Sequence, residues 1–402
     1  MRVRRRRLCF IQIADQTVPD LGALFSGEVK LESRPSAELL CPVSGEALHV
    51  SGPELALLSR LPATDWTDAE SLIEDGSIDL QGLRDLIGRR VLLSDADATS
   101  AAIVEAEARF ESLGWYDLTA VYHAMTRWTE VRDEELDSEH TPEAHRERLE
   151  HNCKQYGPPP THFPRREDAH SVHPLALPAF DSTLAQTLRA RRTTRSFDTA
   201  KRLPLDELAY VLYGCFGAQG TQELAPGTTA VKRTSASGGG LTPIDPYPLV
   251  MKVQGLEPGL YHYDMSRHVL ELLRAMSEEQ ARSLLTDVTA GQDYFADSHA
   301  AIIHVARFNR HHWKYRWHKK AYKALLMDSA HLSQTFYLLA TERRLGAFYT
   351  AAINDQDLGR HLGLDPLEAA AVGVSGIGIA GDGVHAALHF EPEPYMPSPG
   401  NP

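Results

Sequence analysis

The chain has 402 residues, of which 43% are hydrophobic, and its formal net charge is −13. This length exceeds that of a typical single core, so two domains are expected. The acidic balance argues against non-specific nucleic-acid binding, which would need a local basic patch. The four cysteines form no CxxC pair, so neither a zinc knuckle nor a disulfide framework is predicted.

The first residues do not resemble a secretory signal. Residues 1–7 are strongly basic, but Gln12 interrupts the apolar run that follows and Asp15 ends it. No later stretch is long and apolar enough to cross a bilayer. The sequence therefore predicts a cytoplasmic protein without a membrane partner.

Residues 1–95 alternate short strands with short helices. Ser51 is predicted to cap a helix, because it follows a turn at residues 42–46 and a short strand. Three small helices that close on a strand pair resemble a winged helix-turn-helix, so such a domain is predicted here. The predicted strands are residues 8–13, 47–50 and 89–93, and the predicted helices are residues 54–61, a segment after Thr67, and residues 80–87.

Residues 96–177 are predicted to connect two domains. They begin with an amphipathic helix at residues 99–113, and an aromatic-rich stretch follows at residues 114–130. Residues 133–170 are charged and then proline-rich, which is typical of a linker that follows a surface or is partly mobile.

The second domain is predicted at residues 178–385, with a proline-rich tail at 386–402. Residues 300–308 are almost continuously apolar, as in a strand buried on both faces. Residues 322–344 predict a long helix that Gly346 ends. The remaining predicted strands are residues 247–253, 260–263, 269–273 and 369–380, and the remaining predicted helices are residues 182–190, 204–213 and 277–285.

Two polar segments of this domain indicate a ligand. Residues 191–197 (RRTTRSF) place cationic and hydroxyl side chains at a turn between two helices, which suits a dianionic phosphate. Residues 233–243 (RTSASGGGLTP) contain successive glycines, which let the backbone approach a flat ligand. Together they indicate a phosphorylated planar cofactor such as FMN. Taken singly, they are as compatible with a basic surface turn and a flexible loop.

Further motifs follow these segments in a fixed order. Residues 191–197 resemble RRSxRxF, and residues 236–243 resemble PSAGALYP. Residues 255–263 (GLEPGLYHY) resemble GLxPGxYxY, a Lys-Tyr pair lies at 314 and 315, and residues 330–335 (AHLSQT) resemble GHxxQN. On these motifs, about half of the chain resembles the nitroreductase superfamily of FMN flavoenzymes. It resembles more closely the SagB-type dehydrogenases, which oxidise azolines in ribosomal peptide natural-product pathways.

The resemblance implies an α+β fold with helices around a mixed central sheet, a homodimer, and FMN at the dimer interface. It implies that Arg191, Thr193 and Arg195 hold the FMN phosphate, ribityl chain and pyrimidine edge. The residues implied to lie near the flavin ring are Ser237, Gly238, Gly239, Gln334, Ala351 and Ala352. The last two depart from the family, which has Gly-Ala-Phe where this chain has Ala-Ala-Ile. A C-terminal Lys/Arg pair for the phosphate is also not evident in the sequence.

The implied reaction is a two-electron oxidation of a modified precursor peptide, of the azoline-to-azole type or a related Cα–Cβ oxidation. Lys314 or Tyr315 would remove a proton from one carbon, hydride would pass from its neighbour to flavin N5, and molecular oxygen would reoxidise FMN. Burial can bring the pKa of a lysine toward neutrality, as a base requires. The N-terminal domain would capture a leader peptide by adding a strand to a sheet edge. Other peptide-modifying enzymes are further expected partners.

Several features have plainer explanations. The basic segment around Lys314 is also typical of a solvated loop. Its interleaved aromatic residues are compatible with nucleic-acid binding, but the net acidity of the chain argues against it. The histidines at 304, 311, 312, 318 and 331 lack HExxH spacing, so no metal site is predicted. Asp328 and His331, three residues apart on a helix, are predicted to hydrogen-bond.

Two other functions stay open on the sequence alone. An NAD(P)H-dependent nitroreductase or ene-type reductase would contain a flavin that NAD(P)H bleaches quickly. A non-catalytic leader-binding scaffold with a degenerate flavin domain would purify without colour, and the departure at Ala351 and Ala352 is compatible with it.

Overall fold

The computed structural model describes residues 1–132, 142–176 and 178–382, which form two compact units. Unit 1 combines Met1–Arg127 with Arg307–Ala324 and Leu364–Ala370. Unit 2 contains the described parts of Trp128–Ala306, Leu325–Gly363 and Ala371–Pro402. Each unit is therefore assembled from segments that are distant in sequence. The predicted tail at 386–402 lies outside the described residues.

The secondary structure is a succession of short strands and helices, followed by longer ones. The strands are β1 (Arg2–Arg5), β2 (Phe10–Pro19), β3 (Leu31–Cys41), β4 (Glu46–Val50), β5 (Thr67–Asp68), β6 (Leu92–Ser94), β7 (Gly220–Ala225), β8 (Thr228–Lys232), β9 (Ile244–Val250), β10 (Gly259–Asp264), β11 (Val269–Ala275), β12 (Ala300–Arg307), β13 (Gly346–Thr350) and β14 (Ala369–Gly378). The helices are α1 (Leu21–Phe25), α2 (Gly52–Arg60), α3 (Ala69–Glu74), α4 (Leu80–Gly88), α5 (Ala98–Leu113), α6 (Asp117–Met125), α7 (Pro142–Tyr156), α8 (Thr183–Ala190), α9 (Leu205–Phe216), α10 (Glu278–Val288), α11 (Phe308–Lys314), α12 (Ala321–Glu342) and α13 (Asp355–Leu362).

The basic N-terminus is a strand, where the sequence was interpreted only as a basic start. β1 is the central strand of the antiparallel sheet β5-β1-β6. Two buried arginines, Arg4 in β1 and Arg6 just after it, are accommodated because each is paired with a carboxylate. Arg4 donates to Glu107 at 2.8 Å with both side chains buried, and Arg6 donates to Glu46 at 2.8 Å. A buried arginine is tolerated when a carboxylate partner and hydrogen bonds satisfy it.

The second sheet of unit 1, β2-β3-β4, is antiparallel and is followed by helices α2 to α4. The three helices are confirmed close to their predicted positions. Ser51 is the N-cap of α2, and its N–H donates to the carboxylate of Glu54 at 2.6 Å. Buried leucines of these helices pack with Leu39 of β3 in one core. The interpretation of this region as a winged-helix domain stays a prediction.

An aromatic cluster lies in the part of unit 1 where its three chain segments meet. The indole ring of Trp115 packs 4.7 Å from Phe308 and 5.5 Å from His123, measured between ring centroids. Tyr322 lies 5.9 Å from the same indole. The indole N–H donates to the carbonyl oxygen of Leu367 at 2.9 Å. The core of unit 1 is thus built from all three segments.

The predicted linker contains a helix, which was not anticipated. α7 occupies Pro142–Tyr156, and the stretch after it, through residue 176, has only turns and bends and is exposed. Arg146 and Glu150 lie four residues apart along α7, with 3.8 Å between Nε and Oε1. Such pairs support a solvated helix that has no apolar face to bury. Residues 133–141 lie outside the described part of the chain.

Unit 2 is organised around a six-stranded sheet with the order β11-β10-β9-β12-β14-β13. β9 pairs with both β10 and β12, and the β13–β14 pair is antiparallel like them. β12 is buried along its length up to Ala306, which confirms the strand predicted from the apolar run. The described helices include none long and apolar enough to traverse a bilayer.

The prediction that Gly346 ends the long helix is wrong. α12 ends at Glu342, and Arg344 adopts the left-handed conformation with φ 58°. The Leu345 N–H donates to the Ala340 carbonyl at 2.8 Å and the Arg344 N–H to Thr341 at 3.0 Å, which is the Schellman pattern. Gly346 instead begins β13. A Cβ at Gly346 would lie 2.6 Å from the Thr194 side chain, so the glycine permits a close approach.

Other differences concern elements that were not predicted, or not at those bounds. Residues 89–91 do not belong to a strand, since β6 begins at Leu92. β7 and β8 form an antiparallel hairpin whose turn contains Pro226 and Gly227. The elements absent from the prediction were β1, β3, β5, β7, β8, β13, α1, α6, α7, α11 and α13.

Candidate functional site

The arginine-rich turn, residues 191–197, follows α8 directly. The hydroxyl of Ser182 caps the start of α8 by accepting from the Ala185 N–H at 3.2 Å, and Arg191 is the C-cap residue. The Thr194 N–H then donates to the carbonyl of Ala347 in β13 at 2.7 Å. β13 is an edge strand of the central sheet, so the turn is held against that edge.

Two guanidinium groups of this turn have aromatic neighbours in place of acidic ones. Arg191 lies over the ring of Tyr337, 5.3 Å from the ring centroid, and Arg195 lies 5.9 Å from that of Tyr294. Neither arginine has a carboxylate partner among the described residues. Their charges are thus left to attract an anion, and guanidinium groups suit phosphate because they can donate two parallel hydrogen bonds.

The glycine-rich loop, residues 233–243, contains a short 3₁₀ turn at Gly238–Gly240. Gly239 and Gly240 have φ values of 62° and 69°, which favour glycine. The loop is anchored through Asp328 of α12. Its carboxylate accepts from the Ser237 hydroxyl at 2.6 Å and from the Gly238 N–H at 3.0 Å.

Ser237 therefore braces the loop internally. Its hydroxyl donates to Asp328 and accepts from the Thr242 N–H at 2.9 Å. The only hydrogen of this hydroxyl is already used, so towards a ligand the oxygen could only accept. The sequence motif predicted Ser237 as a flavin contact and did not indicate this bracing role.

Gln334, Ala351 and Ala352 also lie in unit 2. Gln334 is exposed on α12, and Ala351 is exposed just after β13. The Ala352 carbonyl accepts from the Nε2 of buried Gln292 at 3.1 Å, and its N–H donates to the Thr350 hydroxyl at 3.2 Å. The segment that replaces the family's Gly-Ala-Phe is thus fixed through its backbone.

Lys314 and Tyr315 belong to unit 1, whereas the predicted cofactor residues belong to unit 2. Lys314 is the last residue of α11, and Tyr315 is its C-cap, with its N–H donating to the His311 carbonyl at 3.2 Å. The chain thus turns here, and the Lys314 Nζ lies 5.6 Å from the centroid of the Tyr315 ring. Lys314 is exposed, so the burial invoked for its base role is absent from the described chain.

The histidines have local roles. His304 is fully buried, with Nδ1 2.9 Å from the Ser329 hydroxyl and Nε2 3.1 Å from that of Ser375. Burial lowers its pKa to about 3, with a smaller contribution from the charge of Arg233. Among the described residues no group of three or more His, Cys, Asp or Glu could hold a metal ion. The predicted Asp328–His331 bond is replaced, since each binds the glycine-rich loop.

These residues fit a flavin phosphate and ring. The arginine-rich turn offers two guanidinium groups that no carboxylate of the described residues pairs with, and the glycine-rich loop offers a hydrogen-bonded backbone with little side-chain bulk. A Cβ on Gly240 would meet only the Cβ of Ala230, at 3.8 Å. A cavity bordered by Ser237 and Asp328 has a volume of only about 10 Å³, too small for a flavin ring. A ligand would therefore meet the loop elsewhere on its surface.

Residues 188–379 match the sequence model of the nitroreductase family. This part of the chain has a nitroreductase-like α+β fold. Members of this family are typically flavin-dependent oxidoreductases that bind FMN.

Individual relatives cover different shares of the chain. MJ1384 of Methanocaldococcus jannaschii, named for the nitroreductase family, is 26% identical over 175 residues, which are 44% of this chain and 81% of that protein. The trifolitoxin-processing protein TfxB of Rhizobium leguminosarum bv. trifolii is 27% identical over 148 residues, 35% of this chain and 38% of TfxB. The chain thus spans less than half of TfxB.

One chain of the E. coli microcin synthetase McbBCD complex, determined with truncated pro-MccB17 bound, superposes with a TM-score of 0.48 at 20% identity. The superposition covers 66% of this chain and 92% of that chain.

Proposed function

We propose that this protein is an FMN-dependent dehydrogenase that oxidises a modified precursor peptide during maturation of a ribosomal peptide natural product. The observation that carries the proposal is the pair of guanidiniums of Arg191 and Arg195, which have no carboxylate partner among the described residues. They occur with a helix-anchored glycine-rich loop in a segment that matches the nitroreductase family. The similarity to TfxB, a protein named for processing trifolitoxin, supports a peptide as the substrate.

The arginine-rich turn would hold the phosphate end of FMN. Arg191 and Arg195 supply the charge, and the Thr193 hydroxyl, 3.0 Å from that of Tyr337, supplies a further polar group. The backbone around Gly238, Gly239 and Ala352 would line the ring. Gln334 and Ala351, both exposed, are further candidate contacts. When bound, FMN supplies the two-electron acceptor that protein side chains lack.

Lys314 is the proposed base and Tyr315 the proposed positioning or proton-relay hydroxyl. A base that removes a proton from one carbon lets its neighbour lose hydride, so the peptide loses two hydrogens in all. The adjacent positions of the two side chains at the end of α11 support a joint role. A homodimer and other peptide-modifying enzymes are the proposed partners.

The reaction is tested by co-expressing a precursor peptide with this protein and the other peptide-modifying enzymes, and by measuring the mass of the peptide. Loss of two hydrogens at one residue is the expected result. A gain of two hydrogens would instead favour the reductase, and an unchanged mass with colourless protein would favour a non-catalytic scaffold. Arg195→Ala serves as the cofactor-deficient control. Arg189→Ala removes a nearby arginine, in α8, and controls for the loss of a guanidinium group as such.

Unit 1 is the proposed site of leader-peptide capture. β2 is an edge strand of ten residues, and in the described chain it pairs only with β3. Its outer residues Ile11 and Ile13 are 55% and 70% exposed. A long edge strand with exposed apolar side chains is a template for an added strand.

A substitution that leaves the fold intact tests this capture. Ile13→Lys should weaken binding of a fluorescent leader peptide by about tenfold or more, because an isoleucine contact contributes about 1.5–3 kcal/mol when buried. Leu118→Lys is the matched control, since Leu118 is 54% exposed on α6 of the same unit. Equal affinities of both variants and the parent would place the leader elsewhere.

A further inference from the structure

α12 holds the glycine-rich loop along one helical face. Asp328, His331 and Thr335 are spaced by three and four residues, so their side chains lie on the same side of the helix. The Thr335 and Ser235 hydroxyl oxygens lie 2.6 Å apart. The His331 Nδ1 lies 3.2 Å from the Ala236 carbonyl oxygen.

Asp328 completes the series on the next two loop residues. It accepts from the Ser237 hydroxyl and from the Gly238 N–H, so three helix residues bind four consecutive loop residues in antiparallel order. Asp328 is 4% exposed, and a carboxylate buried to this extent requires such donors. Of the three, it makes the charge-assisted bonds, which are the stronger kind.

A buried arginine accompanies this carboxylate. Arg233, the first residue of the loop, is buried and donates to the Ile244 carbonyl at 3.0 Å. Burial lowers the pKa of Arg233, and the charges of Asp245 and Asp328 oppose that lowering. A positive charge in the loop thus lies close enough to Asp328 to interact with it electrostatically.

These bonds constrain the conformation of the loop without any contribution from a ligand. The bonds to α12 leave Gly239 and Gly240 in left-handed backbone conformations and commit the Gly238 N–H to Asp328. A loop with consecutive glycines would otherwise have many conformations to lose on binding. A preformed loop binds a planar ligand without that cost.

We propose that Asp328 is a positioning residue, which fixes the glycine-rich loop in the conformation that receives the flavin. The role rests on the proposed FMN function, because it concerns the same site. Thr335 and His331 hold the loop less strongly, since their bonds lack the charge of a buried carboxylate.

Titration of flavin-free protein with FMN, followed by fluorescence quenching, tests the role. Asp328→Asn should weaken FMN binding by about tenfold or more, because a charged hydrogen bond contributes at least that factor. It should also speed amide hydrogen exchange at Gly238 and Thr242 in the flavin-free protein. Thr335→Val should weaken binding less. Thr341→Val is the matched control, since within the described part of the chain the Thr341 hydroxyl bonds only to the Tyr337 carbonyl of its own helix, at 2.7 Å.

Each outcome decides the question. If Asp328→Asn binds FMN as tightly as the parent, Asp328 has no positioning role, although the cofactor site stands. If the parent itself binds no FMN, both the site and the positioning role are overturned. If Asp328→Asn fails to fold, the comparison of Thr335→Val with Thr341→Val decides, and equal FMN affinities would overturn the proposal.

Discussion

The hydroxyl oxygens of Thr193 and Tyr337 lie 3.0 Å apart, which ties the arginine-rich turn to α12. The same helix binds the glycine-rich loop through Asp328. One helix thus supports both segments that the sequence assigned to a phosphorylated planar cofactor, although these segments are separated by more than thirty residues of chain.

Removal of one guanidinium from the turn should release the cofactor. Arg195→Ala is expected to lose most bound FMN while staying folded, because a charged hydrogen bond contributes about 1.5–3 kcal/mol. The flavin absorbance of purified protein and its thermal midpoint measure the two effects. Arg189→Ala, whose guanidinium lies over the ring of Phe180, should keep its flavin. Full flavin occupancy in Arg195→Ala would refute the phosphate assignment.

The Lys314–Tyr315 pair is open to a test that separates chemistry from binding. Lys314→Ala should keep FMN and peptide affinity but oxidise the peptide about 10²–10⁴ times more slowly, the usual cost of losing a general base. Tyr315→Phe retains the ring beside His311 and loses only the hydroxyl. Lys320→Ala, in the same exposed basic segment, is the control. Parental rates in both variants would leave the segment as an ordinary basic surface.

The free energy of unfolding should fall as the pH drops below the ordinary pKa of histidine. His304 contributes to this fall through the one proton that its ring takes up on unfolding. Its folded-state pKa is lowered to about 3, whereas an unfolded histidine titrates near 6.5. Between these values the unfolded chain binds the proton and the native one does not. The unfolding free energy therefore decreases by about 1.4 kcal/mol per pH unit below pH 6.5.

Urea denaturation between pH 7 and pH 5 measures this slope. His304→Gln can still bond to Ser329 and Ser375, and its slope should be smaller by the contribution of one proton. His170→Gln changes an exposed side chain and should keep the parental slope. A His304→Gln variant with an unchanged slope would show that this histidine is not the group that titrates.

The end of α12 offers a stabilising substitution. Arg344→Gly should raise the unfolding free energy, because a residue with a Cβ in the left-handed conformation costs roughly 1–2 kcal/mol. The gain should be reduced by about 0.4–1 kcal/mol, since glycine gives the unfolded chain more freedom. Arg344→Ala keeps the Cβ and should give no such gain in thermal midpoint. Destabilisation by glycine would mean that the arginine side chain stabilises the helix end.

The sequence predicted those elements whose burial follows from local pattern. The apolar run of β12 and the long helix α12 are of this kind, and both elements are confirmed. β3 was missed because charged residues and Pro35 interrupt its pattern, yet its pairing with β2 extends through Pro35. The β7–β8 hairpin carried a Pro-Gly turn signal that could have revealed it.

The site was predicted in its segments but not in its internal contacts. The arginine-rich turn and the glycine-rich loop follow from residue type and order. The bond between Asp328 and Ser237 joins residues 91 positions apart, so no local pattern contains it. The local spacing rule that pairs Asp328 with His331 gave the wrong partner, because the loop offers both side chains a better-placed group.

The discontinuous make-up of unit 1 affects the order in which the protein is synthesised and assembled. Trp115 is made early, but its partners Phe308 and Tyr322 and the carbonyl of Leu367 come much later. On the ribosome, the nascent N-terminal part must therefore wait, with this indole uncovered, until the chain has grown past Leu367. A half-made chain with an exposed aromatic surface is a natural client for chaperones. Premature termination inside unit 2 would accordingly yield a fragment that exposes this aromatic surface and is prone to aggregate.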